Sequence, residues 1–411
     1  MTGRRTDLPL AARVGGRSSG GLVDLLALAD RPEILSFAVG LPDPLLFDVD
    51  HLREAFDAAL SGPGAGANLQ YSAAEGLPRL RERVAALLTG EGMPTSPASV
   101  LVSTGSQQAL TLVSTLLLDA GDVVLVEEPT YLAAIEPFRL AGARIVPVAS
   151  DEDGIDPDAL AKAMRTHRPR ALYLCPTFAN PTGRTLTAAR RARVAELVLR
   201  HRVWLVEDEP YSRLRYDGDH LAPISADPRL ADRSIYLGTF SKIGCPGLRI
   251  GWMRVPPAIM PSLAQVKQSA DMHTSTLDQA AAAHYLAHAD LEGHLRLVCE
   301  AYAARRDTML DLAPGTFPTG TLVSRPTGGM FCWVRLPEGY DALELLPRAL
   351  AAHVAYVPGA PFYAARPDPR TLRLCFSTYE SSTIAEGMDR LAAVFAQTPT
   401  PTRPPTPKRT T

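Results

Sequence analysis

From Ser99 to Val255 the chain alternates short aliphatic and β-branched runs with amphipathic stretches whose apolar positions recur at helical spacing. The runs are SVLVST, VVLVEE, RIVPV, ALYLCP, VWLVED, SIYLGT and LRIGWMRV. Runs this short and this apolar, punctuated by helices, predict buried and mostly parallel strands, because a strand covered on both faces has no solvent side to make polar. The fold class is therefore α/β, one mostly parallel sheet with helices on both faces.

Upstream, HLREAFDAALSG and LPRLRERVAALLTGEG have the spacing of two helices, the second closed by Gly90 and Gly92, and a Gly-rich connection ending in LQYSAAEG joins them. Residues 1–45 combine an Arg- and Gly-rich arm, a short helical pattern LVDLLALA and an extended ILSFAVGLPDP. From Leu291 a long helical stretch leads into GGMFCWVRL, a helix, VAYVPG, LRLCFST and a last helix to about Phe395, which reads as a smaller α+β domain. The expected division is 1–45 as an arm with a segment packing on the small domain, 46–290 as the large domain, 291–396 as the small C-terminal domain, and 397–411 as a tail. QTPTPTRPPTPKRTT, rich in Pro and Thr, reads as disordered.

The 411 residues, 46% of them hydrophobic, suffice for two packed domains. A formal net charge of −2 gives no footprint for nucleic acid or an anionic membrane. The five cysteines lie far apart, without a CxxC pair or metal-ligand spacing, and read as reduced thiols with no metal site. The N-terminal stretch has no apolar core of the secretory kind, and no apolar run reaches membrane-spanning length, so cytoplasm is the default expectation.

In open α/β sheets ligands bind beyond the carboxyl ends of the strands, so the residues that follow each run are the candidates. After SVLVST, Gly105-Ser106-Gln107-Gln108 opens a helix. Free N–H groups there suit a phosphate and Ser106 adds a hydroxyl, although a serine at a helix start also serves as an ordinary cap. Tyr131, after VVLVEE, either stacks on an aromatic ligand or is a partly buried loop residue. ALYLCP leads to Asn180-Pro181-Thr182-Gly183, a turn by its chemistry, in which Asn180 offers an amide to an oxyanion. VWLVED runs into Glu207-Asp208-Glu209-Pro210-Tyr211; Asp208 either pairs with a cation in the pocket or marks a solvated strand end.

SIYLGTF runs into Ser241-Lys242 and then Arg249. The chain holds only four lysines, Lys162, Lys242, Lys267 and Lys408. Lys242 alone follows a buried strand with small and apolar neighbours, a setting that lowers a lysine's pKa and permits amine chemistry on a carbonyl. These parts fit one ligand. Ser106, Ser241 and Arg249 suit a phosphate, Lys242 an aldehyde, Asn180 and Tyr211 a phenolic oxygen, Tyr131 an aromatic ring, and Asp208 a protonated ring nitrogen. Pyridoxal 5'-phosphate has all of these groups.

In this order and spacing, PTY, NPTG, EDEPY, FSK and GLRIGW resemble the class I/II aminotransferases of PLP fold type I, from about residue 31 to 395. FAVGLPDP, LQYSAAEG, GSQQAL, GGMFCWVRL and LRLCFS are similar to the 2-aminoadipate/kynurenine and multisubstrate branch. The resemblance implies a PLP-binding large domain with Lys242 as the aldimine-forming lysine and proton shuttle. Asp208 then pairs with the ring nitrogen, Tyr131 stacks, and Asn180 and Tyr211 hold the phenolic oxygen. Ser106, Gln107, Ser241 and Arg249 surround the phosphate. It also implies that Tyr71 reaches that phosphate from a second subunit, in a homodimer with shared active sites. Arg373 clamps the substrate carboxylate, helped by Gly40 and Asn180. Thr239 departs from the branch, which often has Ser before FSK.

The implied activity is ping-pong transfer of an α-amino group between an L-amino acid and a 2-oxo acid, with 2-oxoglutarate as co-substrate, in amino-acid metabolism or biosynthesis. One alternative is another outcome on the same scaffold, as oxidase, decarboxylase or β-eliminating lyase. A second is the sensing domain of a regulator, for which the roughly 45 residues ahead of the large domain are too few to supply a winged helix. The resemblance implies that QSADMHTSTLDQ lines the substrate pocket; Asp271 and Met272 then face the side chain, with Asp271 favouring a basic substrate, unless Asp271 faces solvent or caps the next turn, and Arg13 and Arg17 could instead meet an acidic side chain.

Overall fold

The computed structural model describes residues 31–397, together with residues 11, 13 and 14 of the arm. The LVDLLALA pattern, Arg17 and the tail beyond residue 397 lie outside the described residues.

In chain order the strands are β1 (Leu35–Ser36), β2 (Val100–Ser103), β3 (Val123–Glu128), β4 (Arg144–Asp151), β5 (Gly154–Ile155), β6 (Ala171–Leu174), β7 (Trp204–Asp208), β8 (Ser234–Thr239), β9 (Gly251–Arg254), β10 (Leu322–Val323), β11 (Phe331–Arg335), β12 (Val354–Ala355), β13 (Val357–Pro358) and β14 (Thr371–Cys375). The helices are α1 (Val49–Leu60), α2 (Ala65–Asn68), α3 (Pro78–Gly90), α4 (Ser106–Leu117), α5 (Leu132–Leu140), α6 (Pro157–His167), α7 (Ala188–His201), α8 (Met260–Asp271), α9 (Thr276–His288), α10 (Leu291–Thr316), α11 (Ala342–Ala351) and α12 (Ser381–Ala396).

Eight strands form the large sheet in the order β2-β9-β8-β7-β6-β3-β4-β5. The central ladders β8-β7-β6-β3-β4 are parallel, and β9 lies antiparallel between β2 and β8. Alternate residues serve opposite faces, as strand geometry requires. Val124 and Val126 pack with Leu110, Phe138 and Leu263 of α4, α5 and α8. Val123 and Leu125 pack with Leu160 and Val198 of α6 and α7. RIVPV is the exception among the expected buried strands: β4 sits one place from the sheet edge, flanked only by β3 and the two-residue β5, and most of its residues are partly or fully exposed.

Residues beyond α10 build a four-stranded antiparallel sheet in the order β10-β11-β14-β13, with α12 packed along α10. The extended N-terminal segment joins this part of the chain, β1 pairing in parallel with β12 through Leu35–Val354 and Ser36–Ala355. One apolar core, including Phe37, Phe178, Phe240, Phe331 and Phe376, continues from the helices beside the large sheet into the small one. Gly40, between β1 and α1, lies so close to Phe331 that a Cβ would overlap the ring. That close approach brings the N-terminal segment, the large sheet and the small sheet to a common edge, at the carboxyl ends of the parallel strands.

Candidate active site

At that edge is a cavity of about 330 Å³ lined by Gly40, Ser106, Gln107, Tyr131, Asn180, Asp208, Tyr211, Ser241, Lys242, Arg249 and Arg373. The residues expected from the sequence to hold the cofactor and the substrate carboxylate therefore converge, with one exception. The exception is Tyr71, which is 74% exposed and set edge-on to His273 with ring centroids 5.7 Å apart.

Ser106 is the first residue of α4, and the position before it is Gly105, which has no side chain to cap the helix. The N-terminal N–H groups of α4 are thus left for an external acceptor, the arrangement that makes a helix start an anion site. Gly105 has φ +80°, and a Cβ there would overlap the Arg249 guanidinium. Gly105→Ala is expected to displace Arg249 and to weaken binding of a phosphate-bearing ligand about tenfold, roughly the worth of one hydrogen bond to a charged group, as titration of the apo protein would show. Gln107 is committed elsewhere, its Nε2 donating to Ala133 O at 2.9 Å. Thr239, just ahead of Phe240-Ser241-Lys242, supplies a hydroxyl that donates to Ser241 Oγ at 3.0 Å.

Lys242 is half-buried in the cavity wall, and its Nζ donates to Gly40 O at 3.1 Å. Burial, with help from the Arg373 and Arg249 charges, lowers its pKa to about 8, so a substantial share of the amine is neutral near physiological pH.

The three acids at the end of β7 separate by function. Glu207 accepts the Ile224 and Ser225 N–H groups, both at 2.7 Å. Glu209 accepts from Thr177 Oγ1 at 2.7 Å and faces Arg191. Both are tied into the protein behind the cavity. Asp208 alone lines the cavity, its Oδ2 accepting from Tyr173 Oη at 2.8 Å while Oδ1 is buried without a partner. It is not a solvated strand end. Burial pushes its pKa up to about 7 despite the Tyr173 bond.

Arg373, on β14, is held rigidly. It donates to Asn180 Oδ1 and Ala38 O, both at 2.6 Å, and lies 4.2 Å from the Phe331 ring centroid and 5.1 Å from that of Phe362. Its Nε is buried and unpartnered. Tyr211 packs edge-on against Phe331, and burial raises its pKa and that of Tyr131, the latter to about 12, so both phenols stay protonated as donors. Sequence reasoning missed Tyr173 and Phe331. Tyr173 was findable as the one hydroxyl inside the apolar run ALYL.

Of the two readings of Asp271, the pocket acid is the one not met: neither Asp271 nor Met272 lines the cavity. Asp271 is bound by Lys267, Gln108 and Thr104 beneath the start of α4, and Met272 is 57% exposed. An i, i+4 lysine on the same helix captures the carboxylate first. Arg13 is exposed.

The donor set fits pyridoxal phosphate. An orphaned buried carboxylate oxygen awaits a cation, an uncapped helix start awaits an anion, and a lysine of lowered pKa awaits a carbonyl. Residues 33–391 match the family model "Aminotransferase class I and II". The chain is 41% identical over 370 residues to a 2-aminoadipate transaminase of Thermus thermophilus, covering 90% of this chain and 91% of that one. It is 38% identical over 388 residues to aromatic-amino-acid aminotransferase 1 of Thermococcus litoralis, covering 93% of each. The crystal structure of an α-aminoadipate aminotransferase from Thermus thermophilus, complexed with N-(5'-phosphopyridoxyl)-L-leucine, superposes with a TM-score of 0.86 at 39% identity, covering 93% of this chain and 95% of that one. The chain belongs to the class I and II aminotransferases and is an aminotransferase dependent on pyridoxal 5'-phosphate.

Proposed function

We propose that the chain moves the α-amino group of an L-amino acid to a 2-oxo acid, with 2-oxoglutarate as the acceptor, in two half-reactions of a ping-pong cycle, and that Lys242 is the group that moves the proton. The observation that carries this reading is the meeting of Lys242, Asp208 and Arg373 in one cavity. Pyridoxal phosphate, when bound, supplies a carbonyl for amines and a ring that withdraws electrons from the substrate's α-carbon.

The protein's part is positioning and proton transfer. Arg373 binds the carboxylate common to amino and 2-oxo acids, through a guanidinium edge that includes the unpartnered Nε. Asn180 fixes that guanidinium and keeps its own amide N–H for the cofactor's phenolic oxygen, beside the Tyr211 hydroxyl. Tyr131 and Phe331 exclude water around the reacting carbon. Lys242, whose lowered pKa of about 8 makes a neutral fraction accessible near neutral pH, takes the α-proton and returns it one position away.

Two measurements test the reading. Incubation of the yellow holoenzyme with a panel of amino acids, beginning with the aromatic ones and 2-aminoadipate that name the relatives, should bleach its visible absorbance, and 2-oxoglutarate should restore it with stoichiometric formation of glutamate. Release of ammonia, carbon dioxide or peroxide instead would establish a different outcome on this scaffold. Arg373→Lys keeps the charge but loses the planar fork, so KM for both substrates should rise about ten- to a hundredfold, with a smaller change in kcat.

The homodimer belongs to the same proposal. Leu69 and Tyr71 are 66% and 74% exposed, and with His273 and Leu277 they line a shallow groove outside this chain's own cavity. A second subunit placing its Tyr71 at this cavity's phosphate site accounts for that exposure. Mixing inactive Lys242→Ala and Tyr71→Ala proteins should restore activity through hybrid dimers, and no recovery on subunit exchange would count against shared sites.

A further inference from the structure

Among the described residues, one fully buried lysine, Lys267 on α8, has no part in the chemistry above. Its Nζ meets three oxygens, Asp271 Oδ1 at 2.8 Å, Asp271 Oδ2 at 3.0 Å and Gln108 Oε1 at 3.0 Å. Gln108 Oε1 also accepts the Thr104 N–H at 2.7 Å, and Gln108 Nε2 donates to Asp271 Oδ2 at 2.5 Å. Thr104 Oγ1 completes the circuit with Asp271 Oδ2 at 3.1 Å and Thr274 Oγ1 at 3.2 Å. None of Thr104, Gln108, Lys267 and Asp271 lines the cavity, yet all of them converge on the turn that presents the Gly105 and Ser106 N–H groups to it.

Burying an ammonium is unfavourable unless it is paired and hydrogen-bonded, and here it is paired with the Asp271 carboxylate and donates to Gln108 Oε1 as well. The turn needs such a hold. Gly105 supplies no side chain to fix its own backbone, at φ +80°, and an anion site is only as selective as the direction of its N–H groups. Partners behind the groups that touch a ligand set the orientation of those groups.

We propose that Lys267, Asp271 and Gln108 form a positioning clamp on the turn Thr104–Ser106 that gives the protein its preference for a phosphorylated over an unphosphorylated pyridine aldehyde. The clamp rests on the reading of the α4 start as the phosphate site. It acts through the turn and touches neither cofactor nor substrate.

The test is titration of apo protein with pyridoxal phosphate and, separately, with pyridoxal, followed by absorbance, alongside thermal unfolding of the apo form. Lys267→Met should weaken pyridoxal phosphate about ten- to a hundredfold and leave pyridoxal nearly unchanged. Thr104→Val, a milder change that keeps the side-chain shape, should weaken pyridoxal phosphate about two- to tenfold with the same selectivity, and it decides the matter if Lys267→Met does not fold. A merely structural role lowers the unfolding temperature and leaves the ratio of the two affinities where it was. A ratio of the two affinities that stays at its wild-type value in both variants overturns the clamp. A wild-type protein that binds both aldehydes alike overturns the phosphate reading beneath it.

Discussion

Lys242→Ala is expected to lower kcat for amino transfer by about 10⁴-fold, the upper end of what a positioned proton-transfer group contributes. Borohydride treatment of the cofactor-loaded variant should leave no label on the peptide containing residue 242. The fold should survive, because Lys242 gives up only one hydrogen bond, to Gly40 O, and leaves no partner charge stranded. A second consequence is visible in the apo protein. The folded pKa of Lys242 is about 8 against an ordinary 10.5. Between these values the unfolded chain holds a proton that the folded chain lacks, so wild-type stability rises with pH over that window, by about 3 kcal/mol from this group. The variant lacks the rise. Chemical denaturation of the two apo proteins at pH 8 and pH 10 should therefore show the wild type gaining on the variant. An active variant, or parallel pH curves, would remove Lys242 from the centre of the mechanism.

The strand order could not be read from the sequence, but the strands and the residues at their ends could. Continuous apolar runs, buried along nearly their whole length, mark β3, β6, β7 and β8. The polar residues just past them lie at the cavity because parallel strands all end on one side. What failed, failed for stated causes. Asp271 reads as a pocket residue only while Lys267, one helical turn earlier, is ignored; the pair forms within α8 before any substrate could compete. Asp208 was singled out from the run Glu207-Asp208-Glu209 by the sequence, but the reason it differs lies in where each carboxylate sits. Glu207 is consumed by two backbone donors, and Glu209 faces a buried arginine although its Oε2 is unpartnered too, whereas the bare oxygen of Asp208 belongs to the one carboxylate of the three that lines the cavity. Such differences depend on contacts between residues distant in sequence, such as Tyr173 with Asp208.

That bare oxygen makes Asp208→Asn the second large expected effect. The amide preserves shape and can still accept from Tyr173 Oη. In place of an anion, however, it offers the cavity an uncharged group, so a ring nitrogen beside it loses the partner that keeps it protonated. Transition-state charge on the substrate carbon is then less well stabilised, and kcat should fall by about 10²- to 10³-fold, the usual result of removing one preorganised electrostatic partner. Asp208→Glu, which retains the charge, should keep more of the rate than the amide. Stability should move the other way. In the apo protein the folded pKa of Asp208 is about 7 against an ordinary 3.8. Between those values the folded chain holds a proton that the unfolded chain lacks, so this group's contribution falls as pH climbs through the window, on the order of 4 kcal/mol in all. The asparagine variant escapes that loss and should be the more stable apo protein at pH 7, with the advantage shrinking towards pH 4. A site built to hold a cation is strained without one, and the pairing of lower activity with higher apo stability is its signature. If instead the variant turns over at the wild-type rate, or its apo form is the less stable at pH 7, Asp208 serves the fold and the cofactor's ring nitrogen is held by another group.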